Sequence, residues 1–100
     1  MAEALILEFD GFGVEQYERV NGELGIDMRS GEGDWPAGLL MHTGAAKPGG
    51  FMVFELWDSR EDQERFMQER LADALRAGGI EGPPARVEWL ELAAHHDLHG

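Results

Sequence analysis

Residues 51–57 read FMVFELW, and no other stretch constrains the fold of this chain as tightly. Phe51 and Val53 are apolar on one parity; Met52, Phe54 and Leu56 are apolar on the other. Side chains alternate across a strand, so a strand apolar on both parities is covered on both faces. Ahead of it stands AKPGG, where proline fixes one φ and the glycines permit positive φ. Ahead of that, LLMHTGA (Leu39–Ala45) reads as a second strand, and the two form a β-hairpin. Behind it, Asp58 and Ser59 end the strand. Ser59 is placed to cap a helix, with Asp62 at the third helical position as in a capping box. This helix is predicted over Arg60–Ala77 and turns Phe66, Met67, Arg70, Leu71, Ala74 and Leu75 inward. Gly78-Gly79 stops it.

Two more strands and a helix complete the order. Ala4–Phe9 (ALILEF) is a first strand, broken by DGFG. Val14, Tyr17, Val20 or Asn21, and Leu24 then recur at helical spacing, with Gly25 as the stop. RVEWLEL (Arg86–Leu92) is the last strand, reached through EGPPA. The order β-α-β-β-α-β specifies a ferredoxin-like α+β domain over residues 1–100. Its four-stranded antiparallel sheet carries both helices on one face. Two helices cover only one face of a sheet whose third strand is apolar on both. The expected cover for the other face is a second copy of the chain. The tail 93–100, AAHHDLHG, is expected to be frayed.

Composition narrows the function. The chain has 20 acidic and 8 basic residues, a net charge of −12. Binding phosphate requires lysine and arginine, so nucleic acid and anionic membrane surfaces are not expected partners. There is no cysteine, which removes disulfides and CxxC chemistry. No apolar run approaches the ~20 residues of a membrane span. The opening MAEALILEFD turns acidic at once, unlike a secretory signal. A cytoplasmic protein is the expectation.

Chemistry-bearing residues are few. Glu55 lies among apolar neighbours, which places it at a pocket, at an exposed strand end, or beside a base. His42 lies mid-strand, as a hydrogen-bonded core residue or a proton-transfer group. Trp57 closes the strand-to-helix corner, as packing or as a pocket wall. Tyr17 lies on the inner face of the first helix, in the core or with its hydroxyl in a cavity. Trp35 sits in the long loop 25–38, GIDMRSGEGDWPAG, either a surface excursion or a functional loop. His95, His96 and His99 have some metal-ligand character but no fixed frame, so no metal is expected. No phosphate loop, dinucleotide fingerprint or nucleophile elbow is present.

With LGIDMRSGEGDWPAGLLMHTGA and VFELWDSREDQERFMQERLADAL in this order, the chain resembles the dimeric α+β barrel proteins. These include antibiotic-biosynthesis-monooxygenase-like domains and small actinobacterial proteins without an assigned activity. The resemblance implies two sheets packed face to face in a homodimer. It also implies a pocket between sheet and helices. In the haem-degrading branch a tryptophan at the end of this strand is important, and Trp57 matches it. That branch also needs an asparagine on the first strand and a histidine on the second helix. Here ALILEF has no asparagine, and the helix reads RFMQER, with Met67 and Gln68. The cofactor-free branch uses an asparagine near the first strand, where this chain offers Asp10. No cofactor is expected.

Two readings follow. One is a homodimer with a pocket for an apolar or aromatic metabolite, acting without a cofactor by oxygenation or proton transfer. The other is a non-enzymatic dimer that binds a ligand or a protein. A four-residue turn over Ala46–Gly49 would set His42 opposite Val53 and Leu40 opposite Glu55. The resemblance puts Trp57 on the helix side. That register then puts His42, Phe51, Val53, Glu55 and Trp57 on one face, with His42 and Glu55 diagonal neighbours, catalytic candidates beside Tyr17, Trp57 and Trp35.

Overall fold

The computed structural model describes residues 2–27, 29–80 and 82–96. Strand β1 (Glu3–Asp10) leads to helix α1 (Val14–Leu24), then β2 (Leu39–Lys47) and β3 (Gly50–Trp57). A helical stretch follows, made of α2 (Arg60–Phe66), a π-helical turn (Met67–Leu71) and α3 (Ala72–Ala77). Strand β4 (Arg86–Glu91) closes the chain. The sheet order is β2-β3-β1-β4 with every pair antiparallel, the ferredoxin-like topology that the element order predicts. β1 and β3 hold the centre and supply most of the deeply buried side chains, Leu5, Leu7, Phe9, Phe51, Val53 and Trp57 among them.

The hairpin is tighter than the four-residue turn expected over Ala46–Gly49. Lys47 pairs with Gly50, so only Pro48 and Gly49 form the loop. Proline at the second turn position and Gly49 at φ 76° make a type II turn, which requires positive φ at its third position. The register therefore shifts by two residues. His42 pairs with Glu55 directly, and Gly44 rather than His42 faces Val53. A shift of two preserves parity, so the side chains keep their faces. At the far end a bulge between Leu39 and Met41 leaves Leu40 outside the ladder and 57% exposed, so Leu40 does not oppose Glu55.

The helix-side face of the sheet packs Leu5, Leu7, Phe9, Phe51, Val53 and Trp57 against Val20 and Leu24 of α1, Phe66 of α2 and Ala74 of α3. Ser59 caps α2, its hydroxyl accepting from the Asp62 amide at 3.2 Å. The π-helical turn breaks the uniform 3.6-residue spacing assumed for this helix. Met67 is only half-buried, whereas Gln63, one turn ahead, is buried. The described part of loop 25–38 is held by backbone bonds. The Ile26 amide donates to Asn21 O (2.9 Å), Asp27 to Glu32 O (2.8 Å) and Asp34 to Gly25 O (3.0 Å). It lies against the core through Ile26 and Trp35. His95 and His96 are exposed beyond β4, and His99 lies outside the described residues. No helix among the described residues is long and apolar enough to cross a membrane.

Candidate functional site

Three elements bring one polar chain together on the helix side of the sheet. Glu55 projects from β3 and His42 from its cross-strand partner position on β2. Trp57 stands two residues beyond Glu55 on the same face. Tyr17 reaches down from α1. The Glu55 carboxylate accepts from the indole Nε1 of Trp57 at 3.0 Å through Oε1. It accepts from Nδ1 of His42 at 2.6 Å through Oε2. With the Nδ1 proton committed to Glu55, Nε2 of His42 is the acceptor for the Tyr17 hydroxyl, its hydrogen-bond partner. The Tyr17 and His42 rings are nearly parallel, 2° apart, with their centroids separated by 5.8 Å. Gly44 makes this approach possible. A Cβ there would stand 2.7 Å from the Tyr17 ring, too close for any side chain.

The chain ends at a small cavity of about 60 Å³ between sheet and helices. Leu7, Phe9, Val53, Val20, Leu24 and Phe66 give it an apolar lining. Tyr17, Asn21, His42 and Glu55 also border it, though the surface it presents is almost wholly apolar, and no lysine or arginine lines it among the described residues. Trp35 and Pro36 of the loop form one wall, with the Trp35 ring 5.5 Å from the His42 imidazole.

The candidates thus fall into distinct places. His42, Glu55 and Tyr17 meet at the cavity, and Trp35 walls it. Trp57 is not among the lining residues. It is fully buried behind Glu55, 5.8 Å from the Phe66 ring, and acts as corner packing that also donates to the carboxylate. Asn21 went unrecognised as a site residue in the sequence. It sits one helical turn beyond Tyr17, is 5% exposed, and donates from Nδ2 to the Tyr17 carbonyl at 3.0 Å. An asparagine within an apolar helical stripe was the available signal. Among the described residues no three His, Asp or Glu converge as metal ligands would.

Burial pushes the Tyr17 phenol above its ordinary value; the Asn21 side chain offsets part of the rise and the Glu55 charge adds to it. Tyr17 is the only tyrosine, so ultraviolet titration reads it alone. The folded chain is expected to form tyrosinate with a midpoint above ~10, the unperturbed value. A raised phenol favours the fold while protonated. Its contribution is present below pH ~10 and is lost as pH rises through the folded midpoint. A folded-state midpoint at or below the unfolded one would contradict this.

No protein-family model matches the chain, and neither does any curated protein. Solved structures do match. A candidate antibiotic biosynthesis monooxygenase of Chloroflexus aurantiacus superposes with a TM-score of 0.63 at 16% identity, covering 96% of this chain and 98% of its own. A protein of unknown function from Nitrosomonas europaea gives 0.60 at 18%, covering 99% and 96%. SnoaB, a cofactor-independent oxygenase from Streptomyces nogalater, gives 0.52 at 15%, covering 99% and 98%. The chain therefore shares the ferredoxin-like α+β fold of these solved structures over nearly its whole length.

Proposed function

We infer that the chain is a cofactor-independent, monooxygenase-like enzyme that takes a proton from an uncharged, apolar or aromatic substrate. The observation that carries this reading is the Tyr17–His42–Glu55 chain ending at an otherwise apolar cavity. Glu55 holds the imidazole in the tautomer that leaves Nε2 able to accept a proton. The Tyr17 oxygen takes the substrate's acidic proton as its own passes to His42 Nε2. The products are a substrate anion and an imidazolium paired with Glu55. Apolar walls exclude water and strengthen that pairing. The anion can then combine with dioxygen to a peroxide, which on protonation loses water to leave a carbonyl. That no cationic residue lines the cavity among the described residues disfavours carboxylate and phosphate substrates.

The test uses two readouts on a panel of neutral hydroxyarenes and benzylic ketones: deuterium exchange from solvent into the substrate, and oxygen uptake. Wild type is expected to catalyse exchange, and His42→Gln to slow it about 10²–10⁴-fold, the usual share of general acid–base catalysis. Equal rates in the two proteins would overturn the assignment. A second reading, ligand binding without chemistry, is favoured by one specific feature: the polar chain is satisfied within the protein. No buried polar side-chain atom lacks a partner among the described residues. Saturable binding with neither exchange nor uptake would decide for it.

In either case the assembly we propose is a homodimer formed through the sheet face opposite the helices. Ile6, Met52 and Phe54 are half-buried there, and Met41 and Leu90 are exposed.

A further inference from the structure

The cavity is too small for the ligand that the proposed function demands. Its volume of about 60 Å³ is well under half that of an engineered cavity that binds benzene, about 150 Å³. One wall must therefore give way. Leu7, Val53 and Glu55 are fixed in the β1–β3 ladder, and His42 in the β2–β3 ladder. Tyr17, Asn21 and Phe66 are fixed on helices. Off these elements, Phe12 packs against the Phe9 and Phe51 rings and Ile26 is tied by its amide to Asn21 O, which leaves the irregular segment Gly33–Gly38 with Trp35 and Pro36 as the wall able to move.

This segment is bracketed by glycines at φ 145° and 90°, backbone that other residues rarely adopt. Its far end is tied down, since the Asp58 amide donates to the Gly38 carbonyl at 2.7 Å. Its near end has a backbone tie from the Asp34 amide to Gly25 O, and one side-chain clasp. Nη2 of Arg70 donates to the Asp34 carbonyl at 2.6 Å and to the Leu24 carbonyl at 2.8 Å, and stands 3.3 Å from the Asp34 carboxylate. Arg70 belongs to the π-helical turn, a local irregularity frequent at functional sites. Inside the segment, the Trp35 indole donates to the Gly31 carbonyl at 2.8 Å, which holds its ring beside His42.

We propose that Gly33–Gly38 is a lid latched by Arg70, and that an uncharged planar aromatic ligand binds by taking the place of the Trp35 ring beside His42. This rests on the apolar-ligand reading above and names the movement and the ring slot it requires. The slot suits a flat ring. Trp35 already fills it face-on to neither side, tilted 53° to the imidazole, while Phe9, Phe12 and Phe66 line the space beneath.

The experiment compares Arg70→Met with the native latch, both in a Trp89→Phe background. Methionine keeps an apolar stem and removes the guanidinium. Trp57 is fully buried, so the quenchable tryptophan is then Trp35. Three quantities are read: exchange of the Asp34 amide, association rate of the neutral fluorophore phenylnaphthylamine, and acrylamide quenching of Trp35. Losing charge-assisted bonds is expected to speed Asp34 exchange about tenfold and to speed probe association comparably. Saturating probe is expected to make Trp35 more quenchable in both proteins. Unchanged exchange and association in Arg70→Met overturn the latch. Probe binding with Trp35 quenching unaltered overturns the ring exchange while leaving the proposed function intact. Faster exchange with no probe binding to either protein overturns the ligand assignment, and the apolar-ligand reading with it.

Discussion

Replacing Trp57 by alanine is expected to lower stability by about 3–5 kcal/mol, the usual cost of truncating a buried large aromatic. A domain of this size has ~5–15 kcal/mol in total, so the variant should sit near the edge of folding at room temperature. Two losses combine. The indole is fully buried in the corner between β3 and α2, so its removal leaves a cavity in the core. Its Nε1 also donates to Glu55, itself only 7% exposed, so the carboxylate keeps one partner instead of two. Trp57→Phe separates these effects. It restores much of the volume, and what remains of the loss, about 1–3 kcal/mol, is the unmet carboxylate oxygen. Urea unfolding followed by circular dichroism measures both. A loss below ~1 kcal/mol for Trp57→Ala would show that the corner repacks and that the indole is not what holds it.

What the sequence disclosed here depends on how local each feature is. Alternation along FMVFELW, the cap at Ser59 and the stops at Gly25 and Gly78 are written in neighbouring residues. The element order and the topology follow from them. Parity survives a register error of two, which is why His42 and Glu55 share a face although the turn is Pro48-Gly49 and not four residues long. Direct opposition of the two was not legible, because AKPGG is compatible with more than one loop length. The Tyr17–His42 bond was beyond reach for another reason. It depends on the depth of α1 over the sheet, and that depth is set by the absence of a side chain at Gly44, far along the chain. The π-helical turn leaves no sequence mark either. Within it lies Arg70, expected in an inward stripe and found instead clasping the carbonyls of Leu24 at the end of α1 and Asp34 in the loop.

In solution the chain is expected to behave as a particle of about twice its 11.1 kDa mass, and Phe54→Glu to return it to the monomer at micromolar concentration. On the sheet face away from the helices, Phe54 pairs with Ile6 at the centre with Met52 beside it along β3, while Leu56 on the same face is already buried within the chain. Toward one margin the apolar rows give way to ions. Glu8 lies 2.8 Å from Arg86 and 3.1 Å from Lys47, and these two partners, Arg86 first, hold its carboxyl below the usual range. An apolar centre with a charged margin is the anatomy of a protein interface. A partner of unlike sequence would meet the demand as well, but a second copy is always present at the concentration of the first, and its centre is equally apolar. Glutamate at position 54 would bury a carboxylate without a cation, and across a two-fold it would face its own copy; either is costly in low dielectric. Phe54 points away from His42 and Glu55, so the variant should keep its secondary structure and the elevated Tyr17 midpoint. Light scattering coupled to gel filtration gives the mass. A single species near 11.1 kDa for the native sequence at micromolar concentration would end the dimer proposal. A dimer undisturbed by Phe54→Glu would move the interface to another surface.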